Sequence, residues 1–382
     1  LANGEKVGLI SVHLYRPFSE KYFRRVLPKT VKRISVLDRT KEPGANGEPL
    51  YLDVRDIFYG EENAPVVVGG RYGLSSKDTT PAQIVAVYDN LQLPEPKNRF
   101  TVGITDDVTF LSLPVGEAIS LAPKGTFEGL FYGLGADGTV GANKNSIKII
   151  GDNTDKYAQA YFAYDSKKSG GFTASHLRFG DKPIRSTYLV TTPDFVACHV
   201  PAYLKKYDML SGIKENGVFL MNSIWDVEET KNQLPAHFKK TLAEKNISMY
   251  IINATEIAKE IGLGNRTNTI MQSAFFKVSE VVPYELAVEQ MKKMIVKSYG
   301  NKGEKIVNMN FAAVDNGGDV TKVEIPAEWA KLDVVAEQAK VDESIPAFIR
   351  DLVIPVNNLK GDDLPVSVFT GREDGTFPAG TA

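Results

Sequence analysis

The chain has 382 residues, 43% of them hydrophobic and 24% charged, which is enough for two or three domains with cores of their own. Its 45 Lys+Arg stand against 47 Asp+Glu, a formal net charge of −2, so no bulk field draws it to nucleic acid or to an anionic membrane. The one cysteine, Cys198, cannot build a disulfide framework, a four-cysteine zinc site or an iron–sulfur cluster within the chain. No apolar stretch approaches the ~20 residues that span a bilayer, and no secretory pattern opens the sequence, so a cytoplasmic setting is expected. The chain starts without Met, enters an apolar run by Val7 and ends without a closing helix or strand. Both ends read as cuts in a longer protein.

Residues 7–15 are nearly continuously apolar, the pattern of a strand buried on both faces. A helix is expected over 19–31, with Ser19 as its cap, followed by a strand over 31–38 and a turn-rich loop over 39–50. Next come a helix over 51–60, a strand over 64–75 and a helix over 79–92. Strands alternating with helices predict a parallel α/β sheet. A Pro-rich stretch at 91–100 then leads through irregular sequence to about residue 125, where the first domain (1–125) ends.

The second domain (126–337) opens with a strand over 127–133, a tight loop over 133–138 and a helix over 139–151. Further strands are expected at 158–165, 172–179, 186–192, 217–223 and 247–253. Helices are expected at 193–207, 230–245, 254–262, 269–279 and 283–300. The fold class is therefore α/β, with two open, mostly parallel Rossmann-like sheets and flanking helices. Residues 338–382 read as an extended C-terminal connector with little core.

Gly133-Leu134-Gly135-Ala136-Asp137-Gly138 is a G-x-G-x-x-G between an expected strand and an expected helix. Glycines there permit positive φ and close approach of backbone to a ligand, and the helix start offers unpaired N–H groups to a phosphate. Thr139 adds a hydroxyl donor, and Asn143 and Lys144 follow one turn later. The alternative is a glycine turn that serves packing alone. A dinucleotide site wants an acid at the end of the next strand. Asp165 ends that strand, but Ser166, Lys167 and Lys168 follow at once, and a double Lys suits a phosphate on the ribose. NADP and CoA both carry one; a solvated Lys pair is the alternative. Asn265-Arg266-Thr267-Asn268 is a second loop of basic and amide residues, suited to an adenine edge or pantetheine amides, or to simple capping.

Other candidates carry less. His13, His176, His199 and His237 lack metal-ligand spacing, so no metal site is assigned. Cys198 and His199, adjacent in an expected helix, would point to different faces, poor geometry for a nucleophile–base pair. Asp106-Asp107 reads as a linker turn. Arg16, Arg39 and Lys41 flank strand ends, where open sheets place ligand contacts, but ion pairing with Glu42, Glu48 or a missing neighbouring domain is the expected role. No residue is assigned as catalytic.

Longer strings are more specific than a glycine fingerprint. YGLGADGTVGANKNSIKIIG (132–151), AYDSKKSGG (163–171), SHLRFGDKPIRSTYL (175–189) and FVACHVPAYLKKYD (195–208) resemble the single-chain pyruvate:ferredoxin (flavodoxin) oxidoreductases. LYRPF (14–18), VLDRTKEPGANGEPLY (36–51), GGRYGLSSKD (69–78) and VGITDDVT (102–109) are similar to the domain that precedes this segment in that family. The resemblance covers almost the whole chain, in the family's order.

It implies that residues 1–125 are part of a transketolase-C-like domain, 126–337 a gamma-type CoA domain, and 338–382 a linker towards an absent ferredoxin-like cluster domain. The full enzyme would use thiamine diphosphate with Mg and 4Fe-4S clusters to turn pyruvate and CoA into acetyl-CoA and CO2. Electrons would pass to ferredoxin or flavodoxin, in a homodimer. This chain lacks the Cys-rich cluster motifs and the G-D-G motif of the thiamine site, so it is not expected to turn over alone. By resemblance, CoA contacts fall on Gly135, Ala136, Asp137, Gly138, Thr139, Val140, Asn268 and Asn310. Lys168 joins them, with Lys167 second. The competing readings are an NADP-binding dehydrogenase domain and a non-catalytic scaffold.

Overall fold

The computed structural model describes residues 4–164, 171–334, 344–378 and 381. The chain divides into two units, residues 1–119 with 343–382 and residues 120–342, each built round its own sheet.

In the first unit, β1 (Arg33–Asp38), β2 (Val66–Arg71) and β3 (Phe100–Thr101) pair in parallel in that order. The helices α1 (Glu20–Val26), α2 (Pro49–Ile57) and α3 (Pro81–Gln92) precede or connect them. Proline opens α2 and α3, where its missing N–H costs nothing, and the Thr80 side chain accepts from the Gln83 N–H to cap α3. Ser19 takes the cap position of α1 without a side-chain hydrogen bond. Apolar residues from the strands and α3 (Val68, Ala86, Val87, Phe100) form one cluster, and Phe23, Val36, Tyr51, Val54 and Phe58 another. At the end of β1, the Asp38 carboxylate accepts the N–H groups of Leu50 and Tyr51 at 3.0 Å each, seating an anion on the start of α2. Glu48 is buried and pairs with Arg71 at 2.6 Å, not with the cations expected from the sequence; Arg16 pairs instead with Asp53.

Residues 7–15 do not form the predicted strand. Leu9 is 88% and Leu14 73% exposed. Apolarity marks a segment that could be buried, but a strand also needs a neighbour to take its N–H and C=O groups, and among the described residues none runs beside this one. Where an extended connector is predicted, the described residues of the C-terminal segment form short helical turns, at Ile349–Val353, Gly361–Asp363 and Val366–Phe369. The Val366 N–H donates to Thr105 O and the Ser367 N–H to Asp107, both at 2.9 Å. Asp106 organises that loop by accepting from the amides of Val108, Thr109 and Leu111.

The second unit is a seven-stranded sheet in the order β10-β9-β8-β7-β4-β6-β5. Its strands are β4 (Phe127–Leu134), β5 (Tyr157–Tyr164), β6 (Phe172–Gly180), β7 (Phe195–Cys198), β8 (Val218–Asn222), β9 (Ser248–Ile252) and β10 (Thr321–Val323). The central four, β4 and β7 to β9, run parallel, while β6, β5 and β10 add antiparallel edges. The helices are α4 (Thr139–Asn153), α5 (Val227–Gln233), α6 (Ala236–Glu244), α7 (Ala254–Glu260), α8 (Asn268–Ser279), α9 (Tyr284–Tyr299) and α10 (Glu304–Asn316).

Because side chains alternate across a strand, each central strand feeds two cores. Phe131, Phe195 and Leu220 pack with Phe275 and Phe276 of α8 on one face, and Leu130, Val196 and Phe219 with Phe238 and Leu242 of α6 on the other. The rings of Phe131 and Phe195 each meet Phe275 edge-on, with centroids 5.1 Å apart.

The expected helix over 230–245 divides at Leu234-Pro235 into α5 and α6, α10 and β10 fall where no element is expected, and two further segments change type. Residues 193–207, predicted helical, hold β7 and a short 3-10 turn, Pro201–Lys205; every residue of β7 is completely buried. A four-residue apolar run between Pro193 and Pro201 is too short for a helix and fills the slot between β4 and β8. Residues 186–192, predicted as a strand, take none. The carbonyls of Ser186, Tyr188 and Leu189 accept from the Arg178 guanidinium, which replaces a ladder partner. Arg178 in turn pairs with Glu128 at 2.8 Å, both buried, and Lys214 reaches Glu128 and Asp194 at 3.2 and 2.9 Å.

Candidate functional site

The chain leaves β4 through α4 towards the β5 edge, and leaves β7 towards β8 on the other side. The ends of β4 and β7 are therefore the point where the connections diverge, the place where open α/β sheets form a crevice. The glycine loop lies there. Gly138 sits at the cap position of α4 with φ +89°, and Ala136 also has positive φ, +74°. Gly133 is a close approach of another kind: a Cβ on it would lie 2.6 Å from Thr139 Oγ1.

Asp137 holds this loop from inside. Its Oδ2 accepts from the Leu134 N–H (2.8 Å) and the Thr139 hydroxyl (2.8 Å), and its Oδ1 from the Thr139 N–H (2.7 Å). The Gly135 N–H donates to Gly171 O, and the Tyr203 hydroxyl to Gly133 O. Thr139 is fully buried, so its hydroxyl is not the free ligand donor that the sequence suggests. It is spent on Asp137 and on His199, whose Nδ1 lies 2.9 Å from Thr139 Oγ1. What remains for a ligand is the first-turn N–H groups of Val140 and Gly141, which have no carbonyl beneath them in the helix.

Asn268, at the first position of α8, joins this point. A Cβ on Gly138 would lie 2.8 Å from Asn268 Cγ, so the starts of α4 and α8 meet there. A cavity of about 370 Å³ opens beside the two residues; Lys144, Lys148, Met291, Met294 and Tyr299 are among its lining. Neither lysine has a carboxylate partner among the described residues. Asn310 lies in α10, buried, with its side-chain amide donating to Ile306 O at 2.8 Å, and it does not line this cavity. Lys167 and Lys168, with Asp165 and Ser166, fall outside the described residues.

His199 is the functional-loop contact that sequence reasoning missed. Assigned to a helix, it looked isolated from the glycine loop; as the residue after β7 it stands beside the end of β4. The short apolar run between two prolines was the signal. Burial holds its pKa down at about 4. Cys198 points elsewhere, with Sγ donating to Val200 O, and burial raises its pKa to about 12. The pair is thus no nucleophile–base couple, for a reason other than the helical one. Among the described residues, no three His, Cys, Asp or Glu side chains gather as metal ligands, and no helix is long and apolar enough to cross a membrane.

Fold and loop together define an open α/β domain whose switch point joins two helix starts through a glycine turn. The chain belongs to the pyruvate ferredoxin/flavodoxin oxidoreductase family, whose model matches residues 128–320. A pyruvate:ferredoxin oxidoreductase core domain II matches residues 2–84, and a domain of unknown function matches 335–382. A pyruvate:ferredoxin oxidoreductase of Moorella thermoacetica is 57% identical over 99% of this chain, and a pyruvate-flavodoxin oxidoreductase of Enterobacter agglomerans 54% identical over all of it. The chain spans 32% of the length of each. The pyruvate oxidoreductase subunit PORC of Thermotoga maritima, a solved structure, aligns over 53% of this chain and 100% of its own, with 24% identity and a TM-score of 0.43.

Proposed function

We propose that this chain is the CoA-binding portion of a pyruvate:ferredoxin or pyruvate:flavodoxin oxidoreductase, which converts pyruvate and CoA to acetyl-CoA and CO2 and reduces the electron carrier. The convergence of α4 and α8 at Gly138 and Asn268 carries this reading. Two helix starts, with the amides of Val140 and Gly141 and the lysines Lys144 and Lys148 lacking a carbonyl or carboxylate partner among the described residues, make a site for a multiply phosphorylated ligand. Bound CoA would supply the thiol that accepts the acyl group. The chain's own part is to hold the nucleotide end: the loop Gly135 to Val140 and Asn268 at the phosphates, Lys168 with Lys167 as counter-charge, and Asn310 from α10. Binding energy from that remote end positions the thiol.

Residues 1–125 then belong to a transketolase-C-like domain, 126–337 to a gamma-type CoA domain, and 338–382 to the link towards a cluster domain. Thiamine diphosphate with Mg, and the 4Fe-4S clusters, would belong to other parts of a cytoplasmic homodimer. Cys198, the one cysteine here, is buried and bonded to Val200 O.

An NADP-binding dehydrogenase domain is the rival. In the dinucleotide pattern the strand carrying the ribose acid lies beside the first strand. Here β6 stands between β4 and β5, so the end of β5 is two strand spacings away, about 9.6 Å. That spacing departs from the dinucleotide pattern. Isothermal titration with CoA, NADPH and ADP separates the readings: CoA should bind in preference to NADPH, the reverse supports the dehydrogenase, and binding of none supports a scaffold. An unchanged CoA affinity in Lys168→Ala would remove that residue from the site.

A further inference from the structure

His199 does not line the cavity, yet its ring is bonded to Thr139 in the loop at the centre of the site. Two polar groups meet at Thr139 Oγ1. The Asp137 carboxylate lies 2.8 Å away and can only accept, so the single hydroxyl hydrogen points to it. The Thr139 oxygen is then left as an acceptor towards His199 Nδ1 at 2.9 Å. We infer that His199 is a positioning residue, held as the Nδ1–H tautomer, and that it sets the glycine loop through a relay of hydrogen bonds from His199 to Thr139 to Asp137. This rests on the reading of the loop as the CoA phosphate site.

The surroundings fix the ring as well as the hydrogen. The His199 N–H donates to Tyr132 O at 2.9 Å and its carbonyl accepts from Asn222 Nδ2 at 3.1 Å, so the backbone is held from β4 and from β8. Burial keeps the ring neutral, and a neutral imidazole has one hydrogen; the geometry places it on Nδ1. The relay keeps the Asp137 carboxylate seated on the Leu134 and Thr139 amides. The backbone that presents Val140 and Gly141 is thereby set before a ligand arrives, and pre-set geometry is what makes such a donor pair effective.

Selective nitrogen-15 labelling of histidine tests the tautomer directly, because the chain has four histidines and a His199→Asn variant identifies the signals of the missing one. A protonated Nδ1 is expected; a protonated Nε2 overturns the inference. CoA titration of three variants tests the relay. His199→Asn keeps a donor where Nδ1–H stood and should bind CoA nearly as the parent does. His199→Phe and Thr139→Val remove the donor and the hydroxyl, and each should weaken CoA by about tenfold, with faster amide exchange at Val140 and Gly141. The double variant His199→Phe/Thr139→Val should lose no more than either alone. Equal losses in His199→Asn and His199→Phe, or additive losses in the double variant, overturn the relay. If the parent chain itself fails to bind CoA, the functional reading falls, while tautomer and amide exchange still decide the relay.

Discussion

A methyl group on Gly138 would lie 2.8 Å from the Asn268 side chain, so the two helix starts share one space that only glycine leaves open. The same residue has φ +89°, where an L side chain is strained. Gly138→Ala should therefore destabilise the second unit by about 1–3 kcal/mol and weaken CoA binding by displacing Asn268. Gly151 is the control: it lies in the same helix, without positive φ, and a Cβ on it meets nothing within 4 Å. Gly151→Ala should stabilise by about 0.5–1 kcal/mol and leave CoA affinity unchanged. Urea unfolding with CoA titration of both variants checks the contrast.

Glu128 and Arg178 form a buried ion pair whose guanidinium also ties down the carbonyls of Ser186, Tyr188 and Leu189. Removing one member strands the other charge in the core. Glu128→Gln and Arg178→Met should each cost about 3–5 kcal/mol. Arg178→Lys should also be costly, since an ammonium cannot span Glu128 and three carbonyls at once. Lys214, over a third exposed, makes a weaker pair, and Lys214→Met should cost about 1 kcal/mol or less. Denaturant midpoints would rank the four variants; Lys214→Met ranking with the others would refute the assignment.

Cys198 offers a clean reporter because it is the one thiol in the chain, fully buried, with its pKa raised to about 12 by burial. The native protein should resist a thiol reagent at pH 8, and labelling should follow the opening of the β7 core, completing quickly in urea. Rapid labelling without denaturant would contradict the placement of β7 at the centre of the sheet.

How far the sequence could be read follows from what each signal contains. The strand–loop–helix at 127–151 was legible because local signals agree: an apolar run, a glycine turn, then helical spacing. Helices α8 and α9 were legible for the same reason. By contrast, β7 was not, since four buried residues carry no period, and helix or strand was decided by β4 and β8 on either side. Residues 186–192 show the converse: a strand is expected there, but Arg178 of the preceding strand takes the carbonyls. Asn268 was visible as a polar loop residue, whereas its contact with Gly138 depends on how α8 returns to the sheet. Asp137 reads in the sequence as one position of a fingerprint; only the folded loop places its carboxylate on the amides of Leu134 and Thr139.

His199 and His176 give the chain an acid sensitivity with a defined sign. Both are buried, and burial lowers both pKa values from 6.5 to about 4; for His176 the neighbouring Arg178 charge adds to it. Each folded-state value lies below the unfolded one, so between pH 6.5 and 4 the unfolded chain binds more protons than the folded chain. The stability that the neutral rings contribute is fully present above about pH 6.5 and is lost as pH falls towards 4. At pH 5 the loss is about 2 kcal/mol for each ring. Urea unfolding at pH 7, 6 and 5 should show the decline, and it should be shallower in His176→Gln, which has no proton to take up. His176 Nδ1 accepts the Val190 N–H at 3.2 Å, so that variant will also start from a lower stability at pH 7, and the test lies in the slope. A slope identical to that of the parent would show that His176 does not stay neutral in the folded protein through this range.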